Sequence, residues 1–79
     1  MVKVQHKQAL KRRVARVWAH LDEAATQLAL IYPDFDATHK DLAELIEAMA
    51  KQTLIVQEEL EDFWRMSWGE LPQDIKSWQ

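Results

Sequence analysis

Apolar residues recur at alternating spacings of four and three along two long segments of the chain. One such stripe consists of Leu10, Val14, Val17, Leu21, Ala24, Leu28 and Ile31, and the other of Leu42, Ile46, Met49, Thr53, Val56, Leu60 and Phe63. This spacing places the members of each stripe on one face of an α-helix. Because a single short Pro-containing loop separates the two segments, the pattern predicts an all-α fold built on an antiparallel two-helix hairpin.

Helix-breaking residues set the expected boundaries within a single domain, residues 1–79. The expected elements are a first helix over about 4–32, a loop over 33–37, a second helix over about 38–68 and a short C-terminal helix over about 71–78. Pro33 is expected to end the first helix, since the residue before a proline is pushed out of the α region. Thr38 with Asp41 nearly matches a capping box, and Gly69 is a natural C-cap. Pro72 suits the first turn of a new helix.

The two helices carry more apolar residues than one seam between them can bury. Outside the first stripe lie Trp18, Ala25 and Tyr32, and the run from Leu54 to Val56 wraps much of the second helix. A helix that is apolar on more than one side is buried on more than one side. We therefore predict a homodimer that forms a four-helix bundle, with a monomeric three-helix fold, a heterodimer and higher oligomers as alternatives. The expected core and dimer residues are Leu10, Val14, Val17, Trp18, Leu21, Leu28, Ile46, Met49, Val56, Leu60 and Phe63.

The amino-acid composition supports a small helical protein without disulfide bonds. The chain has 79 residues, of which 48% are hydrophobic, with one Gly, two Pro and no Cys. The absence of cysteine excludes disulfides and thiolate metal sites. The N-terminal segment lacks the continuous apolar stretch of a secretory signal, and no apolar run is long enough to cross a bilayer. These features predict a cytoplasmic protein with no membrane contact.

Charge is distributed unevenly, although the net charge is only −3. The first 21 residues carry +6 without a single acid, and the remainder carries −9. A basic segment of this kind is a candidate nucleic-acid contact, here Lys3, Lys7, Lys11, Arg12, Arg13 and Arg16. A hairpin that turns near Asp34 or Phe35 offers another explanation, because it pairs residues whose numbers sum to about 70. Lys11 to Arg13 would then lie beside the acidic cluster Glu58–Asp62, and we favour this internal charge match.

Aromatic residues near the C-terminus form the leading candidate interaction site. Trp64 and Trp68 are one helical turn apart, and Met66 and Trp78 are close in sequence. Tryptophan dominates the energetics of many protein interfaces, so these four residues are the predicted protein-binding site. The alternative is that the C-terminal segment folds onto Trp64 and Trp68 as a small additional core.

Motifs for catalysis or cofactor binding are missing, so no catalytic residue and no cofactor is predicted. The acids and histidine at Asp34, Asp36, His39 and Asp41 fail the calcium-loop template, and turn formation explains them. We therefore predict a non-enzymatic protein-interaction module, acting as an adaptor, inhibitor or regulator, that binds itself and another protein. A nucleic-acid-binding regulator is the first alternative, and a structural metal-binding bundle is the second.

Overall fold

The fold is a hairpin of two long antiparallel α-helices. A computed structural model describes residues 7–75, in which helix α1 spans Lys7–Asp36 and helix α2 spans Lys40–Trp68. No strand occurs within this range. The molecule is elongated, with principal extents of 51 × 22 × 18 Å. The all-α hairpin predicted from the apolar spacing is confirmed, while the expected residues 4–6 of the first helix lie outside the described residues.

Helix α1 continues through Pro33, so its expected end at residue 32 is corrected to Asp36. Helical hydrogen bonding persists beyond the proline, because the amide of Ala37 donates to the carbonyl of Pro33 at 3.2 Å and that of His39 donates to Phe35 at 2.6 Å. Phe35 is half-buried, so packing of the last turn offsets the hydrogen bond that a proline cannot donate. The loop accordingly shrinks to residues 37–39.

Helix α2 begins two residues later than expected and ends where expected. Thr38 does not cap it, because its hydroxyl donates back to the carbonyl of Asp34 at 3.1 Å, and the N-cap residue is His39, which makes no side-chain cap hydrogen bond. At the other end, Gly69 adopts φ 95° and its amide donates to the carbonyl of Arg65 at 3.0 Å. This positive φ favours glycine, as the sequence indicated.

The seam between the helices repeats every seven residues, and we label its two positions a and d. Position a holds Lys11, Trp18, Ala25 and Tyr32 on α1 and Ala43, Ala50, Gln57 and Trp64 on α2. Position d holds Val14, Leu21, Leu28 and Phe35 on α1 and Ile46, Thr53, Leu60 and Ser67 on α2. All sixteen residues are buried or half-buried. The sequence-predicted stripes share position d with this seam, but their other members lie one position before a.

The prediction was therefore wrong for every second residue of each stripe, because these residues lie outside the contact between the two helices. The alternate stripe residues of large size are 38–51% exposed: Leu10, Val17, Ile31, Leu42, Met49, Val56 and Phe63. In their place the seam buries Trp18, Ala25 and Tyr32, which the sequence pattern had placed outside it.

Two hydrogen bonds across the seam define the register. The indole N–H of Trp18 donates to Glu61 at 2.9 Å, and the amide of Gln57 donates to Asp22 at 3.5 Å. The residue numbers of each pair sum to 79, compared with the expected value of about 70, because the turn lies at 37–39. Residues 11–13 are consequently level with residues 66–68, and the predicted pairing with the acidic cluster Glu58–Asp62 is wrong in register.

Beyond α2 the chain folds back over one edge of the hairpin. Ile75 is 4% exposed and packs with Ala15 and Trp64 in a small core, against which Leu71 also lies. Residues 71–75 are irregular up to a turn at Gln73–Asp74 and show no α-helix. The remaining positions of the predicted C-terminal helix, 76–78, lie outside the described residues.

Candidate interaction surfaces

The tryptophan-rich end of the hairpin is largely a packed core. Trp64 is 1% exposed, and its indole N–H donates to the carbonyl of Glu70 at 3.2 Å. The half-buried ring of Trp68 meets the Trp64 ring edge-on, with centroids 5.0 Å apart. The ammonium of Lys11 lies 5.6 Å from the centroid of Trp64, within the range of a cation–π contact. These contacts match the alternative in which the C-terminal segment covers the aromatic residues.

The four residues of the predicted protein-binding site therefore have different environments. Met66 is 82% exposed, whereas the buried ring of Trp64 is inaccessible to a partner in this conformation. Trp68 is half-buried between these extremes. Trp78 lies outside the described residues.

A mixed polar and apolar cleft lies beside this core. Its volume is about 620 Å³, and the residues that line it include Trp18, Glu61, Arg65, Leu71 and Ile75. The Arg65 guanidinium lies 3.9 Å from Glu61, which also accepts the Trp18 hydrogen bond. The cleft therefore has charged side chains that contact one another next to apolar surface.

Exposed apolar side chains form a second feature, on the other side of the hairpin. They occupy the position before each a, which we label g. The exposed apolar face consists of Leu10, Val17, Ala24 and Ile31 on α1 and Leu42, Met49, Val56 and Phe63 on α2. Every one of these residues is exposed, and on each helix they recur at intervals of seven.

The two g rows lie on the same side of the molecule. An antiparallel helix pair is related by an approximate two-fold axis perpendicular to the plane of the two helices, and that axis carries the g row of one helix to the g row of the other. The opposite side holds Ala15 and the folded-back Ile75, together with the Asp22–Gln57 and Trp18–Glu61 contacts. The eight residues therefore form one composite face that no described residue covers.

All eight residues belong to the two apolar stripes of the sequence, which predicted them to lie in the contact between the two helices. The interval of seven was visible in the sequence, but the choice between rows a and g was not, because row a is also mostly apolar apart from Lys11 and Gln57.

Basic residues of helix α1 project from the open end of the hairpin. Arg12, Arg13 and Arg16 are exposed, and none of the ion pairs found among residues 7–75 involves them. Lys11 is half-buried over the tryptophans, whereas Lys3 and the side chain of Lys7 lie outside the described part of the structure. The three arginines thus form an exposed basic group at this end of the hairpin.

The loop end carries acids that act on Tyr32. The Asp36 carboxylate, followed by burial and by Glu47 and Glu44, raises the pKa of the Tyr32 phenol above its ordinary value of 10.0. Among residues 7–75, no three His, Asp or Glu side chains lie close enough together to hold a metal ion, and this includes Asp34, Asp36, His39 and Asp41.

Comparisons with protein-family models, with curated proteins and with solved structures found no match. No helix in the described part of the chain is both long and apolar enough to cross a membrane.

Proposed function

We propose that this protein is a non-enzymatic protein-interaction module that works as a homodimer of helical hairpins, joined through the exposed apolar face. One observation carries the proposal: seven large apolar side chains, 38–51% exposed, lie together on one side of the molecule. Soluble monomers rarely expose contiguous apolar patches larger than a few hundred Å². A surface of this kind is typical of a contact with another protein.

The size of the face suits a stable dimer. The two g rows together extend over roughly 40 Å at about 1.5 Å per residue, and a pair of packed helices is about 20 Å wide. The face therefore covers on the order of 800 Å² per protomer, which is about the area that each partner contributes to an interface of standard size. Burying it would place each helix in two seams, as in a four-helix bundle.

The remaining surfaces would serve a further protein partner. A dimer joined through the exposed apolar face leaves the cleft beside Trp18, Glu61 and Arg65 open, because this cleft is on the other side of the hairpin. Two such clefts in one dimer would give an adaptor or regulator two equivalent contact points.

Light scattering after size exclusion tests the proposal on the wild-type chain and on two matched variants. We expect a mass of twice 9.3 kDa at micromolar protomer concentration. Val56→Glu places a charge in the face and is expected to shift the mass to that of a monomer, since an unpaired buried charge is costly. Ile55→Glu is the control, because Ile55 is 55% exposed but lies outside the face.

Circular dichroism must show that both variants remain helical. A wild-type chain that is monomeric at every concentration would contradict the proposal. Equal masses for the Val56→Glu and Ile55→Glu variants would contradict the assignment of the interface.

Nucleic-acid binding is the second candidate, because the acids expected to neutralise the basic residues lie elsewhere. Arg12, Arg13 and Arg16 are exposed at one end of α1 and take part in none of the ion pairs among residues 7–75. Such contacts make affinity fall steeply with salt. Fluorescence anisotropy with duplex RNA and DNA over a salt series tests this candidate. No binding at low salt, or binding unchanged by Arg12→Ser/Arg16→Ser, would reject it.

A further inference from the structure

We infer that the partner on the exposed apolar face is a second copy of this chain whose loop lies at the opposite end, so that α1 packs on α1 and α2 on α2. This inference rests on the proposed homodimer and adds its orientation. Two orientations satisfy two-fold symmetry when identical faces meet. In one the loops lie at opposite ends, and in the other they lie at the same end with α1 on α2 of the second copy.

The rim of the exposed apolar face distinguishes the two orientations. The rim is the next row outward, three residues after each g. Its members are Arg13, His20, Gln27 and Asp34 on α1 and Leu45, Gln52, Glu59 and Met66 on α2. The α1 rim is thus basic at the open end and acidic at the loop end. The α2 rim is apolar at both ends, where Leu45 is 55% and Met66 is 82% exposed.

The centre of the face follows from the register. Ala24 and Val56 have numbers that sum to 80, close to the 79 of the observed cross-seam pairs, so they are level with each other near the middle of the face. Arg13 and Asp34 lie eleven and ten residues from Ala24, on opposite sides of it. Leu45 and Met66 lie eleven and ten residues from Val56, also on opposite sides. A two-fold axis through this centre exchanges the members of each pair.

With loops at opposite ends, every corner of the interface is chemically matched. Arg13 meets Asp34 of the second copy, and Leu45 meets Met66 of the second copy. Along the α2 rim, Gln52 then meets Glu59 of the second copy. Charged groups face charged or polar groups, and apolar groups face apolar groups.

With loops at the same end, the corners are mismatched. Residues at equal height then face each other, which puts Arg13 against Met66 and Asp34 against Leu45 of the second copy. Each corner would partly desolvate a charge against an apolar side chain without a partner, which is unfavourable. The four corner contacts per dimer therefore favour opposite loops. The four middle contacts pair polar residues in either orientation, because Glu59 meets Gln52 of the second copy when the loops are opposite and His20 of the second copy when they are at the same end.

Cysteine crosslinking tests the orientation, because the chain has no cysteine of its own. With opposite loops, residue 24 lies beside residue 24 of the second copy, so Ala24→Cys is expected to form a covalent dimer under mild oxidation. Ala48→Cys is the matched control, because Ala48 is exposed and lies outside the face. Mixing Ala24→Cys with Val56→Cys is expected to add no mixed disulfide beyond the level of the Ala48→Cys control.

The outcomes separate the inference from the proposed function. Mixed disulfides between residues 24 and 56, with no self-linkage of either variant, would show loops at the same end and overturn the inference while the dimer stands. A dimeric mass with no crosslink at residue 24 or 56 would also overturn it, since the face would not be the interface. A monomeric mass would overturn the inference and the proposed dimer together.

Charge reversal gives an independent measurement. Arg13→Glu and Asp34→Arg are each expected to raise the dimer dissociation constant by on the order of five-fold, since each breaks two symmetric exposed pairs. Combining them swaps the partners and is expected to restore most of the wild-type affinity. A double variant as weak as the two single effects combined would contradict the Arg13–Asp34 contact.

Discussion

Replacing Trp64 with alanine measures how much the buried side chains at position a contribute to the free energy of unfolding. Trp64 is 1% exposed and packs with Ala15 and Ile75. Truncating a buried Phe or Trp to Ala costs about 3–5 kcal/mol. The substitution also removes the hydrogen bond to the Glu70 carbonyl and the edge-on contact with Trp68, both of which hold the folded-back segment.

The expected loss is large relative to the free energy of unfolding of the whole protein. A chain of 79 residues has a free energy of unfolding of about 4–12 kcal/mol. The loss of about 4 kcal/mol would therefore remove at least a third of that free energy. Urea unfolding followed by circular dichroism gives the change in the free energy of unfolding. It is measured at one fixed protomer concentration, because the proposed dimerisation would add to apparent stability.

Met66→Ala is the control on the same helix, since Met66 is 82% exposed. It is expected to change the free energy of unfolding by less than about 0.5 kcal/mol. A cost of less than about 1 kcal/mol for Trp64→Ala, or one no larger than that of Met66→Ala, would refute the expected loss of stability. Either result would mean that Trp64 is not buried in the small core with Ala15 and Ile75.

Two further predictions concern the loop end. Because the pKa of Tyr32 is raised in the folded state by Asp36, its contribution to stability is present below pH 10.0 and is lost as the pH rises through the folded pKa; Tyr32→Phe should abolish that loss. A spectrophotometric titration of this single tyrosine tests it, and a phenol that ionises at or below pH 10.0 would contradict it. Pro33→Ala should raise the free energy of unfolding by about 1–3 kcal/mol, because it supplies a helical N–H donor inside α1. A decrease in thermal midpoint would contradict the explanation that packing of the last turn offsets the hydrogen bond that Pro33 cannot donate.

The hairpin could be predicted from the sequence because its signal is redundant. Spacings of three and four over some twenty residues on each side of one loop exclude strands, and Gly69 marks the end of α2. The end of α1 could not be predicted in the same way. Local backbone preference argues for a break at Pro33, whereas Phe35 continues the seven-residue repeat of the seam by one more turn. Tertiary packing prevailed over local preference there.

The error in register followed from that one helix boundary. Moving the turn from residues 34–35 to 37–39 accounts for about seven of the nine residues by which the cross-helix partners differ from expectation, a total shift of roughly 13 Å along the helix. The acidic cluster then lies level with Trp18 and Leu21 instead of with the basic residues. Glu61 accepts the Trp18 indole hydrogen bond and pairs with Arg65 on its own helix. A charge match across a hairpin can therefore be inferred from sequence only when the position of the turn is correct.

The exposure of the apolar g rows is an argument for the proposed dimer. Each helix is apolar at three adjacent rows, a, d and g, which together cover about 120° of its circumference at 100° per residue. One hairpin needs only a and d, and it uses them even though a contains Lys11 and Gln57 whereas g contains only apolar residues. If solubility alone governed the surface, the polar residues would be expected at g. The proposed dimer would account for a row that is more apolar than the seam, yet exposed, because d and g of one hairpin would meet those of another. On this view the stripes at d and g describe the contact between two copies, and the rows at a and d describe the contact within one.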